Sequence, residues 1–167
     1  MSTTTATNLS TTQVFRVYIK ADQKAVWDAI TDPEWNARYG YQARTEYELA
    51  PGGAYRVVSS PEMMSFGAPE VLIDGEILEV DPPKRLVQLW HANFDPDTIA
   101  EPATRLTWEL VEKAPGMTEV TVTHELAGAP ATAVFVSGEK GAEAGGGWSW
   151  ILSDLKTLLE TGASMND

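Results

Sequence analysis

The sequence predicts an α+β fold in which a curved, seven-stranded antiparallel sheet wraps around a long C-terminal helix. Three observations carry that expectation. From Thr45 to Leu126 apolar residues recur with a period of two, in runs separated by turn signals. Ahead of them stand one strand and two short helix starts. Behind them comes one amphipathic stretch, Gly147 to Glu160, whose apolar stripe is long enough to cover the sheet.

Each element follows from local chemistry. Met1 to Thr12 is Ser/Thr-rich and reads as a disordered leader, without the charged and apolar regions of a signal peptide. Val14 to Lys20 is dense in β-branched and aromatic residues and reads as the first strand. Asp22 N-caps a short helix with Val26, Trp27 and Ile30 as its buried stripe, and Asp32-Pro33 opens a second. Thr45–Ala50 and Ala54–Ser60 flank the turn Pro51-Gly52-Gly53. Val71–Val80, Arg85–Ala92, Arg105–Glu112 and Glu119–Leu126 complete the strands, with an acidic loop from Asn93 to Ala103. In the last two strands Leu106, Trp108 and Leu110 share one face, as do Val120, Val122, His124 and Leu126; such alternation marks a sheet with one buried face. Ala127 to Gly147 is rich in Ala and Gly and reads as a mobile connection with room for a short helix, and Gly145-Gly146-Gly147 is the hinge into the last helix. Trp148, Ile151, Leu152, Leu155, Leu158 and Leu159 line one face of that helix, and Gly162 ends it. At ~1.5 Å per residue it exceeds about 20 Å, the length of a seven-residue strand.

The domain organisation is therefore a leader (1–12), one domain (13–162) and a short C-terminal tail (163–167). A chain of 167 residues with 43% hydrophobic and 22% charged residues supports one packed core. The formal net charge of −12 argues against nucleic acid and anionic membrane surfaces, which need Lys and Arg. The absence of cysteine excludes disulfides, thiolate metal sites and thiol nucleophiles. No apolar stretch reaches the ~20 residues of a membrane span. A cytoplasmic protein without cofactor is the expectation.

Four stretches in order carry a family resemblance: Ala25-Val-Trp-Asp-Ala-Ile-Thr-Asp-Pro33; Gly52-Gly53-Ala-Tyr55-Arg; Asp74-Gly-Glu-Ile-Leu-Glu-Val-Asp-Pro-Pro-Lys-Arg-Leu-Val-Gln-Leu-Trp90; and Gly147-Trp-Ser-Trp-Ile-Leu-Ser-Asp-Leu-Lys156. Over roughly Val14 to Thr161 the chain resembles the helix-grip, START-type SRPBCC superfamily. Within it, the chain is similar to the group named after the C-terminal domain of the activator of heat shock protein 90 ATPase. The resemblance implies the helix-grip architecture, and a cavity between curved sheet and helix.

The candidate site follows from that cavity. Tyr55, Trp90, Trp108 and Trp148 are its expected walls, Gln88 and His124 its polar anchors, and Trp35, Tyr39, Met64 and Phe66 its entrance, with Tyr41 and Met63 beside them. Two readings stay open for the indoles: they fill the core, or they line a space for an apolar or aromatic small molecule. His124 likewise serves either as a structural hydrogen-bonding residue or as a general acid or base of a cyclase- or hydrolase-like enzyme. A co-chaperone-type interaction module is the third possibility, and binding is favoured over catalysis. Trp150, opposite the helix stripe, leaves a homodimer contact open. His91 and His124 sit on strands separated by another strand, on the order of 10 Å apart, too far for one metal.

Overall fold

The computed structural model describes residues 11–139 and 146–167. Most of the expected leader, and residues 140–145 of the expected connection with Gly145 of its hinge, lie outside the described residues. Strand β1 (Thr12–Ile19) leads into α1 (Gln23–Thr31) and α2 (Pro33–Asn36). Next come β2 (Arg44–Tyr47), β3 (Ala54–Val58), α3 (Pro61–Ser65), β4 (Val71–Asp81) and β5 (Arg85–Ala92). After them follow α4 (Pro96–Ala100), β6 (Thr104–Ala114), β7 (Met117–Glu125), α5 (Pro130–Ser137) and α6 (Gly147–Thr161).

The seven strands form one antiparallel sheet in the order β1-β7-β6-β5-β4-β3-β2. Helices α1 and α2 therefore carry the chain from one edge to the other. The register slips where Ile77 pairs with Gln88 but Glu79 with Val87, leaving Leu78 as an extra residue. A bulge of this kind bends and twists its strand. Close backbone approach marks Gly75 in the same strand: a Cβ there would lie 1.8 Å from the Leu89 carbonyl oxygen, so only glycine fits.

The helices begin where their caps predict. The Asp22 carboxylate accepts from Ala25 N at 2.8 Å and the Asp32 carboxylate from Glu34 N at 2.9 Å, with Pro33 in the first turn of α2. Trp148, Leu152, Leu155 and Leu158 of α6 are buried, with Ile151 and Leu159 half-buried beside them. Their partners include Leu106, Trp108, Leu110, Val120 and Val122, all on the expected inward face of the sheet. Sheet and helix thus form the two layers of one core.

Three connections contain short helices, two where the sequence predicts loops and one in the Ala127–Gly147 connection, where it leaves room for a short helix. Ser60 caps α3 by accepting from Met63 N, and Asp95 caps α4 in a reciprocal box with Thr98. Helix α5 falls within the stretch read as a mobile connection, and its N-terminal Ala131 and Thr132 amides both donate to the carboxylate of Glu101, from the end of α4. The C-terminal tail folds back: Ser164 is buried and bonds to Asp154 of α6. No helix of the described residues is long and apolar enough to cross a membrane.

Candidate functional site

The two layers do not close along their full length. Around Leu152, Leu155 and Leu158 helix and sheet meet in a solid core. Toward the N-terminal end of α6 a hollow of about 650 Å³ remains. Tyr47, Tyr55, Val57, Trp90 and Trp108 form its sheet side, and Trp148 and Ile151 its helix side. Residues Tyr39–Ala43 make one lip, Phe66–Pro69 the other, and Phe135 and Val136 of α5 close an end. Phe66 is 85% exposed while lining the space, so it stands at the rim.

An aromatic cluster forms the inner wall. The Trp108 and Trp148 rings meet edge to face at 5.5 Å, and Trp90 and Trp148 lie 6.2 Å apart. Trp90 also meets His124 edge to face at 4.9 Å. The indoles are thus both core-filling and cavity-lining: their mutual contact fixes the wall, and the space lies beyond it.

Behind that wall His124 is saturated with partners. The Trp148 indole N–H donates to His124 Nδ1 at 3.1 Å, so the ring proton resides on Nε2. Nε2–H then donates to Thr104 Oγ1 at 2.7 Å, and the Thr104 hydroxyl donates to the Trp90 carbonyl at 2.9 Å. Burial pushes the His124 pKa down to about 3, which keeps the ring neutral in ordinary buffers. With both nitrogens bonded to protein groups and no place in the lining, the ring presents neither nitrogen to the hollow. This is the bonding of a structural histidine, the first of the two roles expected for it.

The sheet side also carries a polar group with too many donors. The Tyr47 hydroxyl donates to Gln88 Oε1 at 3.3 Å. Gln88 Nε2 and Trp90 Nε1 approach the Tyr55 phenol without closing a well-formed hydrogen bond, and Trp108 Nε1 is also unpaired. Burial raises the pKa of both Tyr47 and Tyr55, holding the phenols neutral.

Two carboxylates fix the movable walls. Asp154, fully buried on α6, accepts from Gly40 N at 2.8 Å, Met165 N at 2.6 Å and Ser164 Oγ at 2.8 Å. Asn166 reaches both Asp154 Oδ2 and the Gly40 carbonyl, so the tail clasps the Tyr39–Ala43 lip. Gly40 adopts φ +63, a left-handed conformation natural to glycine. Glu101 holds the α5 wall through the bonds described above. Among the described residues no group of three or more His, Asp or Glu is arranged to hold a metal.

Comparison with known proteins now assigns the lineage. The family model for Activator of Hsp90 ATPase homolog 1-like protein matches residues 20–160. The chain belongs to this family. Its helix-grip architecture is that of the SRPBCC superfamily, in agreement with the sequence resemblance. The crystal structure of CalU16 from Micromonospora echinospora aligns at TM-score 0.65 and 21% identity, covering 93% of this chain and 78% of that one. Protein NE0264 from Nitrosomonas europaea aligns at 0.66 and 22%, covering 92% and 96%. PFC0360w, an HSP90 activator from Plasmodium falciparum, aligns at 0.55 and 17%, covering 93% and 91%. At these identities the likeness establishes fold alone. No curated protein matches the chain.

Within this family fold the sequence-derived site residues divide. Tyr39, Tyr55, Phe66, Trp90, Trp108 and Trp148 line the hollow together. Gln88 and His124 are fully buried behind the wall. Trp35 lies outside the lining, half-buried under the Arg38 guanidinium, 4.7 Å from its ring centre. Met64 points away, whereas the adjacent Met63 lines the space. His91 is likewise outside, its Nε2 bonded to the Ile99 carbonyl at 3.1 Å, and Trp150 is half-buried. Tyr47, Phe94 and Phe135 are lining residues the sequence reading did not select. For Tyr47 a signal existed, since it shares a strand face with buried Thr45.

Proposed function

We propose that this protein binds an apolar or aromatic small molecule in the hollow between the sheet and the start of α6. The observation that supports this most is about 650 Å³ of space walled by Tyr55, Trp90, Trp108 and Trp148. Rigid rings preset by their neighbours lose little freedom on binding, so most of the burial energy is retained. At ~25 cal/mol per Å², covering about 300 Å² of apolar ligand surface contributes about 7 kcal/mol before ordering costs. The ligand is the partner in this reading, in a cytoplasmic setting consistent with a sequence lacking cysteine.

Tryptophan fluorescence tests it, because three of the wall residues are indoles. Titration with aromatic hydrocarbons and long-chain alcohols is expected to give a saturable change with one site. Ala43→Phe, which adds a ring to the lining, is expected to abolish that change while cooperative unfolding persists. A non-saturating response to every compound overturns the reading.

A further inference from the structure

We propose that the hollow selects uncharged ligands that carry a hydrogen-bond acceptor oxygen, docked near Tyr55, and rejects ionised carboxylates and phosphates. This rests on the binding reading above and narrows it to a ligand class.

Two independent observations lead there. The first is a matter of charge. Among the described residues that line the hollow, none is Lys, Arg, His, Asp or Glu. Nearby arginines are spent elsewhere: Arg44 and Arg56 both bond to Glu46 on the outer face, and Arg38 covers Trp35. An anion entering this space loses its hydration and meets no counter-charge among the described lining residues, a cost that apolar burial does not return. Neutral ligands carry no such penalty.

The second is the donor surplus at the sheet side. Gln88 is fully buried and Trp90 is 3% exposed, yet Gln88 Nε2 and Trp90 Nε1 have no well-formed acceptor. Both side chains interact with the Tyr55 phenol, which itself brings another O–H. Buried polar groups left unpaired are costly, and natural cores leave few of them. An oxygen that accepts but does not donate, such as an ester or ketone carbonyl, complements the set. It accepts a hydrogen bond from the Tyr55 O–H and so orients the hydroxyl with its lone pairs turned toward Gln88 and Trp90. A hydrocarbon leaves the surplus in place. The high pKa that burial imposes on Tyr55 keeps its proton available for donation.

Three probes on one skeleton decide it by isothermal titration calorimetry at pH 7.5 in 0.3 M NaCl, which screens long-range repulsion from the net charge of −12. They are methyl 2-naphthoate, 2-naphthoate and 2-ethylnaphthalene. The ester is expected to bind about tenfold more tightly than the carboxylate and about three- to tenfold more tightly than the hydrocarbon. In Tyr55→Phe the ester's advantage over the hydrocarbon is expected to fall below about twofold, with hydrocarbon affinity little changed. A merely structural role for the hydroxyl would shift all affinities together. Should Y55F fail to fold, the two wild-type ratios carry the test. A carboxylate within about threefold of the ester, an ester no tighter than the hydrocarbon, or an unaltered ratio in a folded Y55F overturns the inference and leaves the binding reading intact. Silence from all three probes overturns both.

Discussion

The indole N–H of Trp148 donates to Nδ1 of His124 at 3.1 Å, joining the first turn of the long helix to the last strand of the sheet. That single bond fixes the tautomer of a buried histidine and the orientation of a wall ring at once. Trp148→Phe keeps an aromatic ring but leaves Nδ1 without a donor. Such a buried orphan costs about 1–3 kcal/mol. Urea denaturation is expected to show an unfolding free energy lower by about that amount, read as a lower midpoint with the slope unchanged. An unaltered midpoint would mean the bond contributes nothing.

The same histidine makes stability depend on pH. Its folded pKa is about 3, against about 6.5 in the unfolded chain. Between those values the unfolded state binds the extra proton, so stability falls as pH falls. The contribution is complete above about pH 6.5 and reaches a loss of about 2 kcal/mol at pH 5. Denaturation of wild type and His124→Gln at both pH values isolates the share of this one group, because the carboxylates are common to both. Nitrogen-15 chemical shifts of the imidazole give a second reading: Nδ1 is expected to remain unprotonated at pH 5. A protonated ring in the folded protein at that pH contradicts the burial argument.

Asp154 carries a different prediction. Its carboxylate gathers donors from the lip and the tail, and Asp154→Asn turns one acceptor edge into a donor facing other donors. Stability is expected to drop by about 1–3 kcal/mol. Amide exchange is expected to accelerate at Gly40 and Met165 together, well before global unfolding. Acceleration at Met165 alone would show that the lip is held by other contacts.

These features differ in how far the sequence reveals them. Sheet and long helix are legible because their periods of two and 3.6 persist over many residues, and burial of Leu106, Val120 or Leu155 follows from that alone. Asp154 is not legible: a charge on a helix reads as solvent-facing, and its donors lie 10 to 12 residues downstream and 114 upstream. Helices α3 and α4 carry the same cap-then-proline signature as α2, at Ser60-Pro61 and Asp95-Pro96, but five residues are too few for a period to show. For α5 the local signal is missing, since Ala129 offers no capping side chain and Glu101 supplies the acceptor from afar.

In the site, wall rings on strands are readable from alternation, whereas the choice of Met63 over Met64 depends on the rotation of a one-turn helix. Gln88 and His124 are buried as their strand positions require. That they stand behind the wall follows from the bulk of the three indoles, a packing outcome beyond any single strand's pattern.

On the proposed reading, the space beside Trp90 and Trp148 receives a ligand. A crystal structure of the protein with its tightest-binding probe measures this directly. One molecule is expected to lie enclosed between the sheet and the start of α6, touching Tyr55, Trp90 and Trp148. Side chains collapsed into that space, with the probe on the outer surface or nowhere, would contradict it.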